Sequence, residues 1–153
     1  MRAIESWVEG PLRAFLAESA ARVTLLMTAS GQVVAQHGFT RSLDVMAAAA
    51  LGAGILASTS ELARVMDAPP LDAVVHQGTE LGIYLAGFET PRGRWIGLVV
   101  FGPETSIGLV QLFFARLAVD LARAAPAAEP PRLVLAQDFE RELNASLRAL
   151  FGR

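Results

Sequence analysis

Between Ser42 and Met66 the chain reads SLDVMAAAALGAGILASTSELARVM, a stretch without proline and with few polar side chains. It predicts a single helix of roughly six to seven turns at about 3.6 residues per turn. On a helical wheel Ala48, Leu51, Ile55, Leu62, Val65 and Met66 share one side. Met46, Ala49, Ala53 and Leu56 take the opposite side, with only Ser60 and Arg64 to make it wet. A helix packed only on its own sheet needs one apolar stripe. Two apolar faces predict two partners, one inside the molecule and one outside it. Of the first set Ala48, Leu51, Ile55 and Leu62 are expected to face the sheet, and Met46, Ala49, Ala53, Leu56, Ser60 and Arg64 to meet the outside partner.

The flanking patterns supply the rest of the domain. Ile4, Trp7, Val8, Leu12, Phe15 and Leu16 repeat at helical spacing over residues 2–20, where Gly10-Pro11 either kinks the helix or starts it. Residues 22–28, RVTLLMT, alternate like a strand, Ala29-Ser30-Gly31 turns the chain, and QVVAQHG (32–38) returns. Thr40 or Ser42 is the expected cap of the long helix. Asp67-Ala68-Pro69-Pro70 ends it, and three apolar runs follow at 71–77, 81–88 and 94–101. Their short gaps suit hairpins, so an antiparallel meander is predicted. Ile107, Val110, Phe113, Phe114, Leu117 and Leu121 then mark another helix. The order α, β, β, α, β, β, β, α gives an α+β domain over residues 1–125, one antiparallel sheet with helices packed on it.

After this, AAPAAEPP (124–131) cannot continue a helix, and residues 126–136 read as a proline-rich linker. Residues 137–152 form an amphipathic helix on Phe139, Leu143, Leu147, Leu150 and Phe151. Asp138 is expected to cap it, and Glu140 and Glu142 to sit in its first turn.

Composition narrows the class. The 153 residues are 53% hydrophobic and carry a net charge of −2, which is a globular balance. All thirteen basic residues are arginine and they are scattered, so no nucleic-acid patch is visible. Without cysteine, disulfides and thiolate chemistry are excluded. The uncharged apolar run Val45–Ala57 falls short of the ~20 residues of a membrane span. A cytoplasmic protein without membrane insertion is expected.

Candidate chemistry is sparse. His37 and His76 sit at predicted strand ends with no carboxylate beside them in sequence, and read as strand-edge imidazoles. No GxSxG elbow anchors a nucleophile, and a GxxxxGKS loop cannot be built without lysine. Gly52-Ala53-Gly54-Ile55-Leu56-Ala57 fits a relaxed GxGxxA fingerprint, but no strand precedes it. The small residues there instead allow another helix to approach closely. No catalytic residue, cofactor or metal is expected.

The stretches TLLMTASGQVVAQHG, the alanine-rich helix, VVHQGTELGIYLAGF, WIGLVVFGP and TSIGLVQLFFARLAVDLARA occur in an order that resembles the Roadblock/dynein light chain family, over roughly residues 3–125. Val75-His76-Gln77-Gly78, Thr105 to Val110 and the extension from Pro130 are similar to the bacterial MglB group. The resemblance implies a five-stranded antiparallel sheet with the long helix on one face and two terminal helices on the other. It also implies a homodimer, in which long helices pair and the edge strand carrying Leu71, Ala73 and Val75 pairs with its copy. The implied partner is a Ras-like small GTPase of the MglA type, whose GTP hydrolysis such proteins stimulate in cell polarity and gliding motility. Expected partner-binding residues are Arg41, Met46, Ala49, Ala53, Leu56, Ser60 and Arg64, with Phe139, Leu143, Leu147 and Leu150 of the tail.

Overall fold

The computed structural model describes residues 2–3, 5–38, 44–126 and 132–151, with backbone alone for 2–3 and 132–139. Its elements are β1 (Arg2–Ala3), a 3-10 turn (Ser6–Val8), α1 (Glu9–Ser19), β2 (Val23–Thr28), β3 (Val33–Gly38) and α2 (Val45–Val65). They continue with β4 (Ala73–Gln77), β5 (Gly82–Thr90), β6 (Gly93–Phe101), α3 (Ile107–Ala124) and α4 (Arg132–Phe151). Every strand pairing is antiparallel, in the order β1-β3-β2-β6-β5-β4. The five expected strands are there, and the two-residue β1 extends the sheet beside β3.

Period-two alternation divides the strands between two cores. Tyr84, Ala86, Phe88, Trp95, Val99 and Phe101 face α1 and α3, where Leu12, Phe15, Val110, Leu117 and Leu121 close on them. Phe114 is the hub: its ring meets Phe15, Tyr84 and Phe88 edge-on, with centroids 6.0, 5.4 and 5.4 Å away. Such edge-to-face pairs set the positive rim of one ring against the negative face of the next. Gly97 of β6 leaves room for that ring, since a Cβ there would collide with it. Trp7 stacks on Trp95, which closes the end of this layer. On the other face Val23, Leu25, Met27, Leu85, Ile96 and Leu98 receive α2.

Helix boundaries follow local chemistry. Pro11 is the third residue of α1, in the first turn, where a missing N–H costs no intrahelical bond, so Gly10-Pro11 introduces no break. The cap of α2 is Asp44, whose Oδ1 accepts from the Ala47 N–H at 3.1 Å. The expected caps Thr40 and Ser42 lie outside the described residues. Ser106 caps α3 the same way, accepting from the Leu109 N–H at 3.2 Å.

Two expectations about the tail are corrected. The helix starts at Arg132, so Arg132 to Ala136 belong to α4 and not to the linker. No glycine or proline follows Pro131 until Gly152, so nothing in the sequence delays the helix. Asp138 therefore lies inside the helix rather than capping it, and Glu140 and Glu142 lie beyond its first turn.

Candidate partner-binding surface

At 21 residues, with a mean hydropathy of 1.5 over its most apolar window, α2 is long and apolar enough to cross a bilayer. It is instead one layer of the domain, and the face it turns to the sheet is the one made of small residues. Ala49, Gly52, Ala53, Leu56 and Ala63 are buried. Met46, Leu51, Ile55, Leu62, Val65 and Met66 are exposed, from 37% for Ile55 to 79% for Met46.

This corrects the expected orientation of the helix. The expected placement has Ala49, Ala53 and Leu56 outside, and they are core; it has Leu51, Ile55 and Leu62 inside, and they are surface. The cause is distance. A Cβ on Gly52 would stand 3.2 Å from Leu85 Cδ2 and 3.3 Å from Leu98 Cδ1, so the helix backbone is already against the sheet's side chains. Larger residues on that face would hold the helix away and open voids. Gly52 and its small neighbours are the available signal, and the backbone they bring close is packed on the sheet rather than on another helix.

The exposed residues are regularly spaced. Leu51, Ile55, Ser58, Leu62 and Val65 alternate steps of four and three, the spacing of a coiled-coil seam. Met46, Ser60 and Arg64 are also exposed. Arg64 is held by Glu61 one turn back, Nη2 to Oε2 at 2.8 Å. Arg41 lies outside the described residues.

Beside the C-terminal half of α2 runs β4, whose one strand neighbour among the described residues is β5. Leu71, Ala73 and Val75 are exposed along this edge. The segment entering β4 is fixed by Arg94, which donates to Asp72 Oδ1 at 2.8 Å and to Glu89 Oε1 at 2.9 Å. The Gly87 N–H also bonds the Asp72 carbonyl at 2.9 Å. A cavity of about 140 Å³ opens between α2 and this edge. Ala53 and Leu56 line it together with Ser60, Leu71, Arg94 and Ile96, so four of the expected site residues do meet there.

Remaining groups offer little for catalysis. His37 is half-buried and its pKa is lowered, first by burial and then by nearby positive charge, Arg13 included. His76 is exposed on β4. Among the described residues no three His, Asp or Glu side chains gather as a metal site would require. A larger cavity, about 330 Å³, lies between the β4–β5 turn and the start of α3, lined by Glu80, Leu81, Phe101, Pro103 and Thr105 among others. The sequence pattern does not point to it. In α4 every described side chain, from Glu140 to Phe151, is exposed, Leu143, Leu147 and Leu150 included. The side chain of Phe139 lies outside the described set.

No protein-family model matches the chain, and no curated protein matches it by sequence. Solved structures do match. MglB of Myxococcus xanthus superimposes with a TM-score of 0.70 at 23% identity, covering 78% of this chain and 95% of that one. The gliding protein MglB of Thermus thermophilus gives 0.69 at 27% identity, covering 82% and 93%. The chain has the Roadblock fold and is similar to MglB. A Roadblock/LC7 domain from Streptomyces avermitilis shares the fold more distantly, with a TM-score of 0.55 at 19% identity over 65% of this chain and 80% of that one. Both MglB chains are matched over nearly their whole length, so the likeness takes in the helices as well as the sheet. Within this Roadblock fold the features that set the surface are the seam on α2 and the open edge of β4.

Proposed function

We propose that the chain is a homodimeric, cytoplasmic regulator of a Ras-like small GTPase of the MglA type, binding it and stimulating its GTP hydrolysis. The observation that carries the reading is the coiled-coil-spaced stripe of α2 lying beside the unpaired edge of β4. Both features need cover, the stripe because it is apolar and the edge because its backbone groups are free to pair. A twofold copy covers both at once, helix on helix and strand on strand. The likeness to MglB supports the same arrangement and the same class of partner.

In such a complex the two α2 helices with their flanking residues Ser60 and Arg64 form a platform for the GTPase, and α4 holds a second region of it. Hydrolysis needs positive charge or hydrogen-bond donors at the γ-phosphate. Arg64 is engaged by Glu61, and the chain has no lysine. The resemblance to the MglB group implies activation by reshaping the GTPase so that its own residues reach the phosphate, with no arginine finger inserted. The chain carries no catalytic site, cofactor or metal of its own in this reading, and its setting is bacterial polarity and motility, with enrichment at a cell pole.

The test is GTP turnover by the purified GTPase with and without this protein. Stimulation that saturates with added dimer supports the proposal. Tight binding without faster turnover would replace it with an adaptor role, and absence of binding would overturn both.

A further inference from the structure

Two apolar helix faces besides that of α2 stand uncovered, and they belong to consecutive helices. On α3, Leu109, Leu112 and Val119 are exposed at 45%, 62% and 49%. Their spacing puts Arg116 and Arg123, both exposed, in the same stripe. On α4, Leu143, Leu147 and Leu150 line one side, Glu140 and Glu142 flank it, and Arg141 and Arg148 occupy the back.

We propose that in the free protein α4 folds back onto this outer face of α3 as the second helix of an antiparallel hairpin. The connection, residues 125–131, is of the length that joins antiparallel neighbours in bundles. It spans roughly 23 Å when extended, against the ~8–10 Å that separates packed helix axes. Register follows from the connection. With Ala124 opposite Arg132, equal steps along the two helices bring Arg116 opposite Glu140 and Leu109 opposite Leu147, with Leu112 beside Leu143. One acidic residue beside an apolar stripe, Glu140, thus meets one arginine within a stripe, Arg116. The one ion pair of Arg116 among the described residues is an exposed contact with Glu18 at 3.3 Å, which leaves its remaining donors for Glu140. The α3 of a second copy is a poorer occupant, because it would bring arginine against arginine.

The dock does not depend on what α4 meets elsewhere. Its consequence does rest on the proposed role of α4 in holding a GTPase: α4 cannot cover α3 and a partner together, so release from α3 weakens the apparent affinity for the partner.

The chain has no cysteine, so introduced pairs report alone. Leu109→Cys with Leu147→Cys is compared with Leu109→Cys with Arg148→Cys, which has the same tether but the wrong face of α4. In the full chain, without any GTPase, the first pair is expected to close an intramolecular disulfide about tenfold faster, beyond what tethering alone supplies. Adding Arg116→Glu slows closure about two- to fivefold, and Glu140→Arg on top restores it. Equal rates for the two pairs, or intermolecular disulfides as the main product, would overturn the proposal. Circular dichroism on each variant verifies the fold. Because no GTPase is present, a negative result here leaves the proposed function standing, and a GTPase that fails to bind leaves the dock standing.

Discussion

Gly52 on α2 presses against Leu85 on β5: a Cβ at Gly52 would lie 3.2 Å from Leu85 Cδ2. This closeness fixes which face of the long helix is core, and it makes a graded prediction. Gly52→Ala meets only the ends of Leu85, Leu98 and Met27, which can shift slightly. It also gains the ~0.8–1.0 kcal/mol by which alanine exceeds glycine in helices. The two effects offset, and stability should stay within about 1 kcal/mol of the parent. Gly52→Val adds branches to the same space and should cost about 1–3 kcal/mol. Gly54 has nothing within 4 Å of an added Cβ, so Gly54→Ala should stabilise by about 0.5–1 kcal/mol. Chemical denaturation of the three variants checks the order Gly54→Ala, Gly52→Ala, Gly52→Val.

The same pair of residues shows what a pattern can and cannot reveal. Element order is legible because each strand and helix has its own period and is punctuated by glycine or proline. The edge position of β4 is legible too, in a short run at the end of the meander. The rotation of α2 is not. Both of its faces are apolar, and a wheel weights leucine over alanine when the question is which side goes in. What decides is how near the sheet lies, a tertiary quantity signalled only by Gly52 and the alanines around it. The start of α4 is hidden for a simpler reason. The prolines through Pro131 suggest a linker that runs several residues beyond them, whereas proline restricts mainly its own position and the residue before it.

His37 gives the protein a pH dependence of known sign. Burial favours the neutral imidazole, so its pKa is lowered in the folded state relative to about 6.5. Below the unfolded value the unfolded chain binds more protons, so stability is full above about pH 6.5 and declines as pH falls through it. Melting temperature should fall between pH 7.5 and 5.5, and His37→Gln should flatten that part of the profile. Glu104, held below its usual range by its hydrogen bond to Arg22, contributes a separate loss that begins only below about pH 4.5. A profile unchanged by His37→Gln between pH 7.5 and 5.5 would show that another group governs that window.

The tail should be separable from the domain. Leu143 and Leu147 belong to neither core of the domain, so Leu143→Asp with Leu147→Asp costs at most the contact of α4 with the outer face of α3 and leaves the sheet and its inner packing intact. If the pair is buried against a GTPase, each leucine contributes about 1.5–3 kcal/mol and the double variant weakens that complex more than tenfold. Calorimetric titration measures the complex, and thermal unfolding measures the domain. A large drop in melting temperature would place α4 within the cooperative fold.

The outer face of α2 is where core and interface can be told apart by one chemistry at two positions. Ile55 and Leu62 are exposed, so Ile55→Arg with Leu62→Arg keeps both guanidiniums in water and costs the monomer little. In a helix-paired dimer the same arginines enter the seam, where unpaired buried charge is strongly unfavourable. Sedimentation should therefore show a folded monomer for the double variant, and stimulation of GTP hydrolysis should be lost with the dimer. Ala49 has no exposed surface and packs among Leu25, Met27 and Leu85 in the sheet-facing core. Ala49→Arg must force a charge and a long side chain into that layer. A cost beyond ~4 kcal/mol is expected, enough to unfold a domain of ordinary stability. Circular dichroism distinguishes the two results. An unfolded Ile55→Arg, Leu62→Arg chain, or a folded Ala49→Arg chain, would mean the helix is rotated from the orientation described.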